Sequence, residues 1–483
     1  MTPAADPETP KNSWIESFRV ERQGSFLRLI FSFRMGDSGC VQSLRAALAE
    51  QGADWKSIVP SLRADARLAE HAAELLRESD SPWGLTVHEW NFRDRKSTDP
   101  IPARALVRFT KHAEQVDFAI DRVELWLFGL GFGYVALEVS LAGPELRRWL
   151  EMLHWARHLD SGRGPKLRVA DVETTLEEVL RRVLTSLSPG DWWEAIDIPR
   201  TLRSYLCLSV SRVGHLGLAP VGRCAPELQR QLLYQICEQA PPHRLLHLPT
   251  GAGRGDYVRG DSFEYSDGVH FVASREGVAY VAIDRDMGEE FWGNTMVNHL
   301  RASYFLHYLA TQYQRHAIEG LRRAVESAER DQRISDEEWR KVKDHSARVR
   351  SAGFFVELAR TNNHARFERL VRDMAQVDRL FDLTTRAVDD LVAMKIEAIE
   401  AEQSKRQLEL AQRQKQLQDR LAWIGTMFAI SSVFLAFMSM NLRGITTSDE
   451  EGLNFGVALS LTLAVSWLGR VIGLRMSGSD RWF

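Results

Sequence analysis

The sequence contains only four cysteines, and no two of them are spaced as a CxxC pair. Cys40, Cys207, Cys224 and Cys237 also have no paired histidines near them. This scarcity argues against a disulfide framework and a zinc site, and it predicts reduced cytoplasmic thiols. Charge of one sign is not in excess either, because 62 basic and 65 acidic residues leave a formal net charge of -3. A nucleic acid is therefore not an expected partner.

Motifs of the common enzyme classes are also missing. The sequence contains no HExxH, no GxSxG and no pair of carboxylates at metal-ligand spacing beside histidines. Because acid–base, nucleophilic and metal-dependent catalysis need such clusters, we expect no enzyme activity. Residues 1–12 lack the basic start and apolar core of a signal peptide, and we expect them to form a short disordered leader.

Two runs near the end of the sequence carry no charged residue. The first, Leu421–Leu442, has 22 residues. As a helix it would be about 33 Å long, enough to cross a hydrocarbon core of about 30 Å. The second, Gly452–Gly469, has 18 residues and can extend to Leu474 with Arg470 reaching toward the lipid headgroups. The sequence predicts transmembrane helices at 421–442 and 452–474 in contact with membrane lipid. The alternative is a buried hairpin in a soluble core.

Basic residues predict the orientation of these two helices. They lie before the first uncharged run and at or beyond the end of the second: Lys405, Arg406, Arg413, Lys415, Arg420, Arg470, Arg475 and Arg481. The connecting loop, 443–451, holds one arginine and three acids: Arg443, Asp449, Glu450 and Glu451. Because basic segments stay on the cytoplasmic side, we expect the loop outside and both termini, including the tail 475–483, inside. We expect a multi-pass protein of the cell inner membrane.

The region 13–288 mixes strand-like and helix-like patterns and predicts an α+β cytoplasmic regulatory domain. The predicted strands are rich in β-branched and aromatic residues: Phe26–Phe33, Phe118–Phe128, Tyr134–Leu141, Val269–Ala273 and Val278–Ile283. The predicted helices are Val41–Gln51, Ser61–Glu78, Pro144–Leu159, Val172–Leu187 and Pro226–Gln239. The glycines of Gly129–Gly133 predict a turn or bulge between two strands.

A helical stalk is predicted from 289 to 420. Its first helix covers Glu289–Asp331, and Ser335, with a glutamate three residues later, is expected to cap a second helix that ends near residue 362. A third helix begins near Asn363 and contains no proline or glycine before Gly425. The sequence therefore predicts one unbroken helix of about eighty residues, roughly 120 Å long, that runs from the domain into the membrane.

The surface of this third helix changes along its length. It starts with an apolar stripe that can pack on neighbouring helices: Val377, Leu380, Phe381, Val388, Leu391 and Met394. Glu400–Arg420 is almost wholly polar, so it either stands in water or lines a wet vestibule. In the first uncharged run, small or weakly polar residues share one face at spacings of 4, 4, 3 and 4: Leu421, Gly425, Ala429, Ser432 and Ala436. This face can line a pore between several chains or pack against another helix.

The first uncharged run closes on Ser439-Met440-Asn441, and a short acidic loop follows. With the stalk and the two C-terminal spans, this tripeptide resembles the Gly-Met-Asn motif of the CorA-type magnesium transporter superfamily. The likeness covers residues 290–483 in architecture. It implies a CorA-like fold, a homopentamer with both termini in the cytoplasm, and first spans lining the pore. The implied lining is Leu421, Gly425, Ala429, Ser432, Ala436, Ser439, Met440 and Asn441.

The resemblance also implies a role for Asn441 at the outer mouth. A ring of its amide oxygens would hydrogen-bond the waters of Mg²⁺ or another divalent cation, which would be the transported ion. The sequence departs from the motif at Ser439, where the family has glycine. Arg443 lies two residues after Asn441 and would repel divalent cations unless the acids of the loop offset it. Selectivity for magnesium is thus an open expectation.

A glycine-rich segment, 249–256, is the one candidate for ligand binding in the region before the stalk. It lacks the Gly-Lys-Ser/Thr ending of a phosphate-binding P-loop, and no clear helix follows it. A surface loop is one interpretation. The other is a nucleotide-like anion held by backbone N–H groups and by Arg254 or Arg259.

Three hypotheses about function follow from these patterns. The first is an oligomeric ion channel or transporter of the CorA-like superfamily, for divalent cations, gated by the cytoplasmic domain. The second is a membrane effector of antiviral defence whose pore opens when a nucleotide-like signal binds. The third is a membrane-anchored scaffold whose spans only pack. No resident cofactor is expected in any of the three.

Overall fold

The computed structural model describes residues 13–16, 18–35, 38–50, 55–58, 85–90, 104–108, 115–156, 166–169, 172–187, 193–195, 202–212, 226–239, 262–330, 335–350, 359–442, 460–461, 463–465 and 467–471. The chain divides into two compact units, Met1–Val388 and Asp389–Phe483. The first unit is a mixed α and β domain, and the second contains most of one long helix. The predicted helix Ser61–Glu78 lies outside the described residues.

The described strands of the first unit form one sheet. They are β1 (Phe18–Val20), β2 (Phe26–Met35), β3 (Trp55–Ser57), β4 (Thr86–Trp90), β5 (Arg104–Arg108), β6 (Gln115–Phe128), β7 (Phe132–Leu141), β8 (Lys166–Val169), β9 (Val172–Thr175), β10 (Trp193–Ala195), β11 (Arg203–Arg212), β12 (Ser262–Ser266), β13 (Val269–Ala273) and β14 (Gly277–Ile283). The main path runs β12-β13-β14-β11-β2-β7-β6-β5-β8-β9. Strands β11 and β14 pair in parallel, and β2 pairs antiparallel with β7 and β11.

Helices precede, interrupt and follow these strands. The described ones are α1 (Ser13–Glu16), α2 (Ser38–Glu50), α3 (Leu146–Ala156), α4 (Leu176–Leu187), α5 (Pro226–Cys237), α6 (Met296–His299), α7 (Phe305–Arg330), α8 (Asp336–Arg348), α9 (Asn362–Ala375) and α10 (Val377–Leu442). Two π-helical turns, Phe291–Thr295 and Leu300–Tyr304, flank α6. The first helix predicted for the stalk is therefore confirmed, although its start is not regular α-helix.

One face of the sheet packs against α3, α4 and α5. Alternate residues of the central strands point to this side, including Leu27 and Leu29 of β2, and they share one apolar core with Trp149, Val179 and Leu232 of the three helices. The period of two along the strands and the period of 3.6 along the helices place these side chains together. The strong amphipathic pattern of the sequence at 146–156 and 176–187 thus follows from packing on this face.

The opposite face of the sheet is covered by α7. Trp126 of β6 meets Phe305 edge-on with ring centroids 5.4 Å apart, and Phe128 stacks on Tyr313 at 4.4 Å. Tyr134 of β7 hydrogen-bonds a ring nitrogen of the buried His316 across 2.9 Å. Each such aromatic pair contributes about 0.5–1.5 kcal/mol beyond the area it buries. Because both faces are covered, even the charged residues of the central strands are inside.

The sequence predictions for this unit are largely confirmed. The five predicted strands all lie within β2, β6, β7, β13 and β14, and Gly129–Gly131 forms the turn between β6 and β7, with Gly131 at a φ of 83°. The predicted helix Val172–Leu187 is wrong in its first four residues, which form β9. The helix begins after Thr175, whose hydroxyl accepts the N–H of Glu178 while the Glu178 carboxylate accepts the N–H of Thr175. This reciprocal cap fixes the start of α4.

The unbroken helix predicted from Asn363 is also wrong. Gln376 adopts a left-handed conformation, with φ 54° and ψ 35°, and separates α9 from α10. Its N–H donates to the carbonyls of Arg372 and Asp373, which ends α9, and its carbonyl accepts the N–H of Leu380, which starts α10. The sequence has no glycine or proline at this point, so the pattern gave no signal of the break.

Candidate functional site

The apolar end of α10 is exposed in the chain. Within Val377–Ala436, the most apolar 18-residue window is 0% buried, and among the described residues this is the one helix long and apolar enough to cross a membrane. Phe428 is 71% exposed and Val433 is 70% exposed. A core helix of a soluble protein would have covered these side chains, whereas an exposed apolar surface of this extent marks contact with lipid or another chain.

The small-residue face predicted from the sequence lies on this exposed helix. Leu421, Gly425, Ala429, Ser432 and Ala436 are all exposed. A side chain at Gly425 would meet nothing within 4 Å, so no neighbour among the described residues fills this one position of the face. The Ser432 hydroxyl donates to the carbonyl of Phe428 across 2.7 Å. Its hydrogen is therefore satisfied within the helix, while its oxygen keeps capacity to accept a further bond.

The second uncharged run is described only at 460–461, 463–465 and 467–471, where it is helical. A Cβ atom placed on Gly469 would lie 3.1 Å from the sulfur of Met427, so the two runs touch at this point. Helix α10 continues through Ser439, Met440 and Asn441 to Leu442, but their side chains lie outside the description. Also outside the described residues are the loop residues Arg443, Asp449, Glu450 and Glu451, the segment 249–256, Arg254 and Arg259.

A chain of alternating charges, buried at its centre, runs across strands of the sheet beneath α7. Arg28 of β2 is fully buried and contacts Glu124 of β6 at 3.1 Å and Glu138 of β7 at 2.8 Å. Arg301, from the second π-helical turn, contacts the other oxygen of Glu138 at 2.8 Å. At the other end, Arg122 lies 3.4 Å from Glu124. These five residues, which we call the ion chain, connect three strands to the helical segment before α7.

The surroundings favour the charged form of Glu138. Burial opposes ionisation of Glu138, but Arg28 and Arg301 outweigh it, and the pKa of Glu138 lies below its usual value. The Arg28 guanidinium lies over the ring of Phe305, 4.2 Å from its centroid, and Trp126 donates its indole N–H to Glu124 across 2.9 Å. Every charge is thus paired or hydrogen-bonded, which is the condition for burying it.

A second polar cluster joins α7 to α9. His364 is hydrogen-bonded to Ser303 through Nε2 at 3.0 Å and to Thr361 through Nδ1 at 2.7 Å, and it stacks on Tyr304 with centroids 4.0 Å apart. His307 is fully buried beside it, 3.8 Å from the Glu368 carboxylate, and neither ring nitrogen has a hydrogen-bond partner among the described residues. Burial and the neighbouring His364 lower the pKa of His307 to about 3, so this ring is neutral at physiological pH.

The start of α10 is anchored to α9, which is itself joined to α7. Arg372 of α9 is buried, donates to Gln314 of α7 across 3.1 Å and pairs with Asp378 in the first turn of α10. Val377 and Leu391 of the apolar stripe are buried, as predicted, whereas Met394 is 49% exposed. Contacts therefore run without a gap from β2, through Arg301 and α7, to the first turns of α10. The sequence pattern did not reveal this path, because Arg28, Glu124 and Glu138 look like solvent-facing positions of half-buried strands.

Other chemistry is limited among the described residues. No group of three histidine, cysteine or acidic side chains there could hold a metal ion. Burial raises the pKa of the Cys207 thiol, whose hydrogen is directed to the carbonyl of Gly24, so this thiol is unreactive. A cavity of about 10 Å³ beside Ser204 and Gln239 has room for one water.

The chain matches no protein-family model, no curated protein and no solved structure.

Proposed function

We propose that this chain forms an oligomeric, CorA-like ion channel or transporter of the cell inner membrane, gated by its cytoplasmic domain. One observation carries the proposal: the apolar end of α10, none of which is buried, belongs to the same helix whose first turn is anchored in the first unit. A helix of this kind can transmit a change in the domain to the apolar segment. A plain membrane anchor would not need such a connection.

An oligomer is part of the proposal. Two apolar helices cannot enclose a pore, so several copies must surround an axis. The exposed small-residue face of α10 suits such an axis because it leaves space and carries one hydroxyl at Ser432. The resemblance to the CorA-type family favours five copies, both termini in the cytoplasm, and Asn441 at the outer mouth. There its amide would order the water shell of Mg²⁺ or another divalent cation.

Gating is assigned to the domain because its buried polar contacts lead to α10. The ion chain and the His364 cluster allow few intermediate arrangements, since a partly broken buried pair is costly. Ligand or ion binding to the domain would therefore shift α10 between discrete positions rather than gradually. In the second version of this function, the pore is the same but binding of a nucleotide-like signal opens it.

The test is cation flux in liposomes that contain the purified full chain. We expect flux of Mg²⁺ or another divalent cation, read with an enclosed indicator. The same vesicles are then exposed to candidate nucleotides on the side of the cytoplasmic domain. Flux that requires a nucleotide supports the effector version. A complete lack of flux under all these conditions, from correctly inserted protein, would leave only the membrane-anchored scaffold.

A further inference from the structure

The polar segment of α10 is divided lengthwise by charge. Residues 402–420 include eight charged side chains. At about 100° per residue, all eight fall on one side of the helix, and a face about 140° wide is left without charge from Gln403 to Gln418. The centre of this face consists of Gln403, Gln407, Ala411, Gln414 and Gln418. All of these residues are exposed in the chain.

This uncharged face continues into the apolar segment without a change of phase. Its central residues follow one another at spacings of 4, 4, 3 and 4, and Leu421 comes three residues after Gln418. From Leu421 the small-residue face continues at spacings of 4, 4, 3 and 4 to Ala436. One face of a continuous helix therefore runs from Gln403 to Ala436 without a charge. It is rich in carboxamides outside the apolar segment and in small residues within it.

A helix surrounded by water on all sides would not need to keep its charged side chains on one side. On the charged side, Arg406 pairs with Glu402 one turn earlier at 2.6 Å. At the edge of the uncharged face, Leu410 and Leu417 are seven residues apart and are 62% and 57% exposed. Leucines at this spacing are typical of contacts between parallel helices. Leu408, the third leucine of the segment, lies on the charged side.

We infer that copies of α10 surround the pore axis with this uncharged face inward and form a vestibule lined by glutamine carboxamides. Leu410 and Leu417 would pack between neighbouring copies, and the charged side would face outward to solvent. The inference rests on the proposed function and adds to it the nature of the pathway. A carboxamide both donates and accepts hydrogen bonds, so such a lining admits an ion with its water shell and concentrates neither sign of charge.

The chain offers a matched test, because glutamines occur on both sides of the same turns. Gln414 and Gln418 belong to the uncharged face, whereas Gln412 and Gln416 lie on the charged side. Each is changed to cysteine in the full chain, and wild type reports the background of the native cysteines, all of which precede residue 240. The probes are a cationic methanethiosulfonate reagent, applied during liposome flux, and oxidative crosslinking between copies.

For Gln414→Cys and Gln418→Cys we expect crosslinked chains and a several-fold loss of cation flux on modification. For Gln412→Cys and Gln416→Cys we expect labelling without crosslinks and with unchanged flux. The inference is wrong if the unmodified variants pass ions normally and crosslinking and loss of flux occur at 412 and 416 instead, or equally at all four positions. Because the channel still conducts in that case, the proposed function is not contradicted. If the unmodified wild-type chain is monomeric and passes no ions, both are wrong.

Discussion

At the scale of single residues, Arg28 is the central member of the ion chain. It pairs with two buried carboxylates, Glu124 and Glu138, which it shares with Arg122 and Arg301. Replacing one member of a buried charged group is more costly than losing an exposed pair, because the remaining charges stay desolvated. The surface pair Lys341–Glu337, exposed by 73% and 79%, offers the comparison.

We predict that Arg28→Met lowers the free energy of unfolding by about 3–5 kcal/mol, since methionine fills similar space without a charge. Lys341→Met should cost less than about 1 kcal/mol. Urea unfolding of the full chain in detergent, followed by tryptophan fluorescence, measures both. Equal, small losses for the two variants would show that the ion chain does not stabilise the sheet.

His307 makes stability depend on pH. In the unfolded chain its pKa is about 6.5, whereas in the fold burial and His364 lower the pKa to about 3. The unfolded state therefore binds a proton that the folded state does not, and stability falls as pH drops from about 6.5 toward 3, by up to about 1.4 kcal/mol per pH unit. We predict a shallower decrease in His307→Leu, which cannot titrate. Urea unfolding of both proteins at pH 7.5 and pH 5 measures how much the free energy of unfolding falls with pH. An equal decrease in wild type and His307→Leu would contradict the prediction.

At the scale of elements, the break at Gln376 determines where α10 starts. The left-handed conformation costs about 1–2 kcal/mol for a residue with a Cβ, and most for β-branched side chains. We predict that Gln376→Val lowers the free energy of unfolding by about 1–2 kcal/mol and that Gln376→Gly is tolerated. Arg379→Val, on an exposed helical position, controls for helix propensity and should cost a few tenths of a kcal/mol. Thermal unfolding of the three variants tests whether Gln376→Val is the least stable of them.

The elements also show what the sequence could predict. Strands β2, β6, β7, β13 and β14 followed from runs of aromatic and β-branched residues bounded by turns, because that composition suits a buried sheet. Gln376 could not be predicted, since its conformation is held by α9 and α10 and its residue type gives no hint. Arg28 and Glu138 were missed for a related reason. Alternation identifies two faces of a strand, but only tertiary structure shows that α7 covers the second.

The candidate site was predictable to a different degree. The apolar end of α10 needed only a count of uncharged residues, and its exposure agrees with the prediction of a membrane span. The polar contacts at His364 and Arg372 join residues from helices that are distant in the sequence. A single sequence does not specify such pairs. Asn441, Arg254 and Arg259 remain predictions, because their side chains are outside the description.

At the scale of the whole molecule, the proposed pore requires several copies. We predict particles of about 275 kDa protein mass in detergent, which corresponds to five chains of 55.0 kDa each. Light scattering with correction for bound detergent measures this mass over a range of concentrations. A stable mass of one or two chains would contradict both the pentamer and the pore.

Two substitutions connect the assembly to transport. We predict that Asn441→Ala alters ion selectivity or conductance more than assembly, because the amide would act on the ion's water shell. Leu421→Ala should increase leak, since Leu421 is the bulkiest residue of the small-residue face and lies at the end of that face nearest the polar segment. Flux is compared only among variants with wild-type mass. If instead both variants dissociate and their residual assemblies keep normal selectivity, this face packs helices and lines no pore.

The order of elements along the chain has a consequence for biosynthesis. The central strands β2 and β11 pair across more than 170 residues, as Leu27 with Leu206, and the last described strand ends at Ile283. The apolar segment begins only at Leu421. At about 5–20 residues per second, a ribosome needs roughly 7–28 s to synthesise the chain between them. Sheets with distant pairings form in milliseconds to seconds. The domain thus has time to fold before the segment that enters the membrane has been made, so the two steps need not compete.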